Sequence, residues 1–165
     1  LISASSNHVA HGIRQRIEQK VWNNKWFHSK KAAYQYAADE SFRLGKEVSG
    51  FALENGEYVV LDPSENTERR SGNDQIQTYK INGSKQHYVF RNGRDVKITG
   101  QFHTHPTIVN TSNNPIGVSV KDLRVMNRLN TPMTILHMST EWQVTNGSDY
   151  SYGGYSFSLK NLGLW

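Results

Sequence analysis

The chain has 165 residues, a length suited to one compact domain with its own hydrophobic core. Its hydrophobic fraction of 36%, with four Trp, eight Tyr and six Phe, excludes a disordered chain. Cysteine is absent, which excludes disulfides and thiolate metal sites, so any metal must be held by His and carboxylate. The net charge of +5 is spread in ones and twos along the sequence, which indicates a solvated surface, and we do not expect nucleic acid to be the partner.

The sequence contains no apolar run that approaches the roughly 20 residues needed to cross a bilayer, so we expect no membrane span. The N-terminus has neither an initiator Met nor the apolar region of a signal peptide. We therefore expect the chain to be a part excised from a longer protein.

Two helices are predicted in the first part of the chain. After Asn7, a suitable N-cap, apolar residues recur every four positions and predict a helix over 8–23: Val9, Ile13, Ile17 and Val21. Ser29 can cap a second helix over 30–44, and Gly45 is a natural residue on which to end it.

Two hairpins follow the predicted helices. The first has strands over 47–53 and 58–61 around the turn Asn55-Gly56, and the second has strands over 87–91 and 95–104 around Asn92-Gly93. Between them, residues 63–75 are predicted to form a polar loop. A short helix starts at Ser119 and ends at Pro132, and further strands are predicted over 133–138, 142–145 and 155–159.

This order of elements predicts an α+β fold with a mixed central β-sheet and flanking helices. We expect an N-terminal helical segment over 1–28, followed by one globular unit over 29–165.

Two histidines on the last predicted strand of the second hairpin are candidate metal ligands. His103 and His105 are separated by one residue, so both side chains leave the same face of the strand. A zinc hydrolase needs a third protein ligand, and Asp122, one turn into the next helix, is the best candidate. Taken alone, Ser119-x-x-Asp122 is also a capping box that requires no metal.

The combination resembles the signature of the JAMM (MPN+) metallopeptidase family. His103-Thr104-His105-Pro106 followed by Ser119-x-x-Asp122 is similar to the family pattern H-x-H-P…S-x-x-D, and Glu47-Val48-Ser49-Gly50 resembles its Glu-x-x-Gly segment. The resemblance covers roughly residues 28–145. It implies the JAMM (cytidine-deaminase-like) architecture, zinc held by His103, His105 and Asp122, Glu47 as general base, and Ser119 as a stabiliser of the tetrahedral intermediate.

The sequence departs from the family pattern in one respect. Thirteen residues separate His105 from Ser119, more than is usual in the family, and the additional residues lie in the polar stretch 107–118. Long loops cost little free energy, so the departure is compatible with the predicted site.

Three other carboxylates compete with Glu47 for the role of base: Glu40, Glu54 and Glu57. The remaining histidines have no metal-ligand spacing among themselves: His8, His11, His28, His87 and His137.

A narrower resemblance concerns the protein's context. Residues 26–33, together with the later His-Thr-His-Pro, resemble an uncharacterised JAMM-like family at the C-terminal tips of Rhs and other polymorphic toxin proteins. This implies a domain that is delivered into a target cell as the C-terminal part of a larger protein. It would act in the cytoplasm of the target cell, and a cognate immunity protein would inhibit it in the producing cell.

The resemblance therefore implies hydrolysis of an amide or isopeptide bond in a target-cell protein by zinc-activated water, with a ubiquitin-like protein as one candidate substrate. Two alternatives stay open. A metal-dependent nuclease toxin also fits an H-x-H motif and a basic domain, although the sequence contains no cluster of carboxylates for a two-metal site. A catalytically silent JAMM-like scaffold is the second alternative, but scaffolding has no use for the complete set of Glu, His, His, Ser and Asp.

Overall fold

The computed structural model describes residues 21–106, 117–137, 140–144, 149–152 and 155–158. In these ranges ten strands form one mixed sheet with two helices, which together make a single small α+β domain. The predicted fold class is confirmed at this level. Neither helix of the described ranges is long and apolar enough to cross a membrane.

The helices and strands have the following bounds in chain order. The helices are α1 (Lys30–Leu44) and α2 (Val120–Leu129). The first six strands are β1 (Lys25–Phe27), β2 (Ser49–Leu53), β3 (Tyr58–Val60), β4 (Tyr79–Lys80), β5 (His87–Arg91) and β6 (Arg94–Thr104). The last four are β7 (Met133–His137), β8 (Thr140–Val144), β9 (Asp149–Tyr152) and β10 (Tyr155–Ser158).

The sheet is organised around the long strand β6. The strand order is β1-β3-β2-β6-β7-β8-β9-β10, and the β4-β5 pair joins the first half of β6. β6 runs parallel to β7 and antiparallel to β2. The C-terminal end of β6 therefore lies between two strands in the middle of the sheet, where its side chains are buried.

The two helices cover opposite faces of the sheet. Helix α1 packs against Phe102 and Leu136, whereas α2 packs against Met133 and Ile135. Because successive side chains of a strand point to opposite faces, Ile135 and Leu136 mark two different sides. His103 and His105 alternate with Phe102 and therefore face α2.

Local sequence signals locate helix α1 correctly. The Ser29 side chain accepts a hydrogen bond from the backbone N–H of Ala32 at 3.0 Å, and Gly45 ends the helix with a left-handed φ of 64°. The predicted bounds, 30–44, are confirmed. Helix α2 starts after Ser119 as predicted, but it does not continue to Pro132. Its end is set by Asn130, which adopts φ 52° and donates its backbone N–H to the carbonyl of Asn127.

Both predicted hairpins are present, and the later strands are found close to their predicted positions. β2 begins two residues later than predicted because the backbone N–H of Glu47 bonds to the carbonyl of Thr67 and not to a strand. Three strands were not predicted: β1, β4 and β9. The predicted helix over 8–23 lies mostly outside the described residues, and its last three residues, 21–23, are not helical.

Gly50 lies at a crowded point between β2, β3 and β6. A Cβ at this position would lie 2.2 Å from the carbonyl oxygen of Val59 and 2.3 Å from Cζ of Phe102. The oxygen belongs to the backbone of a paired strand and cannot yield without disrupting the sheet.

We therefore expect Gly50→Ala to lower the free energy of unfolding by about 3 kcal/mol or more, the upper range for overpacking a core. Gly100→Ala is the matched control, because its Cβ would meet only ordinary contacts at 3.6 Å and 3.8 Å. Urea unfolding of both variants measures the difference. Equal stabilities would show that the sheet relaxes around the methyl group.

Candidate metal centre

Strand β6 and helix α2 bring three potential metal ligands together. His103 lies on β6 and His105 directly follows the strand, where its N–H still bonds to the carbonyl of Leu136 on β7, and Asp122 lies in the first turn of α2, which covers this face of the sheet. Both imidazoles are buried, and the Asp122 side chain is 15% exposed. The three residues that the sequence assigned to the metal are thus adjacent in space.

The ligand atoms of this cluster are spaced as coordination would require. Nε2 of His103 lies 3.0 Å from Nε2 of His105 and 3.1 Å from Oδ1 of Asp122. Nε2 of His105 lies 3.6 Å from the other carboxylate oxygen, Oδ2. Zinc bonds of 2.0–2.1 Å in a tetrahedral arrangement separate ligand atoms by about 3.3 Å. The donor set and its spacing therefore fit a zinc ion with three protein ligands.

Glu47 lies beside the histidines. Its carboxylate and the ring nitrogens of His103 and His105 are within 4.8 Å of one another, a geometry that could also hold a metal. Asp122 contacts both rings, at 3.1 Å and 3.6 Å, so Glu47 and Asp122 are both placed to offer a carboxylate oxygen to an ion held by the histidines. Glu47 is only 7% exposed. In the metal-free protein, burial raises the pKa of Glu47 to about 7, and the charge of Asp122 adds to the increase, whereas His103 and a hydrogen bond with Ser71 oppose it.

The polar loop over 63–75 packs against Glu47. The Asn66 side chain donates to the backbone carbonyl of Glu47 at 2.8 Å, and the Glu47 N–H donates to the carbonyl of Thr67 at the same distance. The hydroxyl of Ser49 anchors the far side of the loop by donating to the carbonyl of Gly72. Nothing in the sequence indicates that Asn66 and Ser71 contact the predicted base, because they are distant from it in sequence and carry no motif.

Ser119 and Asp122 form the capping box that their spacing predicts. The Ser119 hydroxyl accepts from the N–H of Asp122 at 3.1 Å, and the Asp122 carboxylate accepts from the N–H of Ser119 at 2.9 Å. The same carboxylate contacts His103 and His105, so capping and metal binding are compatible and do not exclude each other. Burial alone would raise the pKa of Asp122, but in the metal-free protein the two histidines and the Ser119 N–H outweigh it and lower the pKa to about 2.

The three competing carboxylates make contacts elsewhere: Glu40 with Arg43, Glu54 with the backbone N–H of Lys97, and Glu57 with Arg91. Among the described glutamates, Glu47 is the one that joins the two histidines.

The three other histidines in the described ranges do not join the cluster. Nδ1 of His137 lies 3.0 Å from the backbone carbonyl of His105, so this residue contacts the strand and not the predicted metal. His28 is exposed, and His87 is buried on β5. His8 and His11, together with residues 107–116 of the long loop, lie outside the described residues.

Comparisons with protein-family models, curated proteins and solved structures find no match to this chain.

Proposed function

We propose that the chain is a zinc-dependent peptidase domain of the JAMM type, which hydrolyses an amide or isopeptide bond in a target-cell protein. The observation that carries the proposal is the convergence of His103, His105 and Asp122, with Glu47 buried next to the two rings. These residues come from three separate elements of the chain. A helix cap explains Asp122 and a polar strand explains the histidines, but neither explains why all four side chains meet.

His103, His105 and Asp122 would hold the ion. A zinc ion in this position supplies Lewis acidity, which brings the pKa of a bound water near neutrality and polarises a carbonyl group. Three protein ligands leave a fourth position for water or substrate, as catalytic zinc sites require.

Glu47 would move the proton. A base with a pKa near the working pH can both accept a proton from the attacking water and return it to the leaving nitrogen. Burial and backbone contacts fix the position of this carboxylate: the Glu47 N–H donates to Thr67, and its carbonyl accepts from Asn66.

Ser119 would stabilise negative charge on the substrate oxygen. Its hydroxyl oxygen accepts a hydrogen bond from the N–H of Asp122, which leaves the hydroxyl proton able to donate in another direction. A donor of this kind, aimed at a developing oxyanion, lowers the activation barrier. In enzymes from which such a donor has been removed, the barrier rises by about 3 kcal/mol.

The wider biological role is part of the same proposal and depends on the motif resemblance. We propose that the domain is delivered into a target cell as the C-terminal part of a larger protein and cleaves a protein or peptide substrate there. In the producing cell an immunity protein would inhibit it.

The test is to incubate the purified, zinc-loaded protein with a target-cell lysate and to analyse the proteins by mass spectrometry. We expect new peptide ends or lost isopeptide links that are absent when a chelator is added, with DNA and RNA intact. Degraded nucleic acid would support the nuclease alternative. An unchanged proteome with zinc bound would support the scaffold.

A further inference from the structure

Gln101 contacts His103 on the side of its ring that points away from Asp122. It lies two residues before His103 on β6, on the same face of the strand, and its side chain is buried with 4% of its surface exposed. Its Oε1 lies 3.1 Å from Nδ1 of His103. The backbone of Gln101 is also fixed, because its N–H donates to the carbonyl of Pro132 and the residue pairs with Met133 of β7.

With its amide oxygen facing Nδ1, Gln101 favours the form of His103 in which that nitrogen carries a proton. An amide oxygen only accepts hydrogen bonds, so Nδ1 must be the donor. A neutral imidazole protonated on Nδ1 has its lone pair on Nε2. That lone pair faces Oδ1 of Asp122 at 3.1 Å and Nε2 of His105 at 3.0 Å.

The Asp122 oxygen can accept a proton carried by Nε2 when the ring is doubly protonated in the metal-free protein, and a metal ion bound at Nε2 takes the place of that proton while Nδ1–H stays bonded to Gln101. The orientation of Gln101 thus leaves His103 ready to bind a positive ion with Nε2. The reverse orientation of the amide would present its NH₂ group, favour the Nε2–H tautomer and block coordination.

We propose that Gln101 is a positioning residue of the metal centre, whose amide oxygen holds His103 in the Nδ1–H tautomer so that Nε2 binds the ion. This inference rests on the proposed zinc site.

The test measures zinc affinity by competition with a chromophoric chelator, so it does not depend on knowing the substrate. Gln101→Met keeps the length of the side chain but removes the acceptor, and we expect it to weaken zinc binding by about 10–100-fold. Gln101→Glu can only accept, so it should bind zinc at least as tightly as the unmodified protein. Gln143→Met is the matched control, since the Gln143 side chain on β8 accepts a hydrogen bond from the Thr134 hydroxyl at 3.2 Å, away from the histidines, and its loss should leave zinc affinity unchanged.

The outcomes separate the inference from the function on which it rests. An unmodified protein that binds no zinc would overturn both. If the unmodified protein binds zinc and Gln101→Met binds it with the same affinity, only the role of Gln101 is overturned. If Gln101→Glu binds zinc as weakly as Gln101→Met does, the amide acts through its NH₂ group and the proposed role of its oxygen is overturned. Ring-nitrogen NMR of the zinc-loaded unmodified protein gives an independent answer, and a protonated Nε2 on His103 would contradict the proposal even if a variant fails to fold.

Discussion

Glu47→Gln is expected to lower peptidase activity by about 10²–10⁴-fold, the range that general acid–base catalysis contributes. The amide has nearly the shape of the carboxylate but cannot accept a proton. Because Asp122 is the proposed third ligand, the variant should keep its zinc. It should also keep its fold, since the contacts that position Glu47 with Thr67 and Asn66 are made by its backbone.

The matched control is Glu57→Gln, which makes the same chemical change at another buried carboxylate. Glu57 bonds to Arg91 at 3.0 Å, and its side chain is 8% exposed. This control should keep full activity but lose stability, because Arg91 loses its charged partner. Activity is measured on a substrate identified in the lysate, with zinc content determined in parallel. Loss of zinc from Glu47→Gln would mean that Glu47 is a ligand and that the base is another group.

The same variant has a pH-dependent effect on the metal-free protein. Burial raises the pKa of Glu47 from 4.5 to about 7, so between these values the folded state retains a proton that the unfolded chain releases. Stability should therefore fall as the pH rises through this window. Above it, Glu47→Gln should be more stable than the unmodified protein by up to about 3 kcal/mol, and the difference should vanish at pH 4. Urea unfolding in chelator at both pH values measures this effect.

Asp122→Asn is expected to weaken zinc binding by more than about 100-fold. Losing a hydrogen bond to a metal ligand costs about 10–100-fold in affinity, and this variant changes a ligand itself. The asparagine oxygen can still accept from the N–H of Ser119, so the cap of α2 is retained while the charge near His103 and His105 is removed. The comparison with Ser119→Ala separates the two roles of this turn. That variant loses the side-chain cap, which costs about 1 kcal/mol, but it keeps all three ligands.

Elemental analysis of proteins purified without chelator checks this prediction. The unmodified protein and Ser119→Ala should carry about one equivalent of zinc, and Asp122→Asn should carry little. The metal-free protein should remain folded, because the core clusters around Phe51, Phe102 and Ile135 do not involve the metal. Full zinc occupancy in Asp122→Asn would restrict the carboxylate to capping the helix and would remove the main support for the peptidase proposal.

Several features of the fold follow from the sequence because residues within four positions decide them. Ser29 and Gly45 determine the ends of α1, and Asn92-Gly93 determines the second hairpin. A spacing of two turns His103, on β6, and His105, directly after it, to the same face of the sheet. The capping box of α2 is equally local. The exceptions have local causes too: a three-residue strand such as β1 is too short to show a periodicity, and Asn130 ended α2 before the more conspicuous Pro132.

The convergence of the candidate site depends on tertiary structure. Asp122 reaches the histidines because α2 packs on the face of the sheet that His103 and His105 share, and the parallel pairing of β6 with β7 fixes that face. The choice of Glu47 over the other glutamates, the packing of residues 63–75 against it, and the contact of Gln101 with His103 depend on the same packing. The sequence by itself determined which residues could bind a metal and how each one is presented locally. Only the tertiary structure decided which of them meet, because contacts between residues far apart in the chain depend on how strands pair and helices pack, and the local pattern does not encode this.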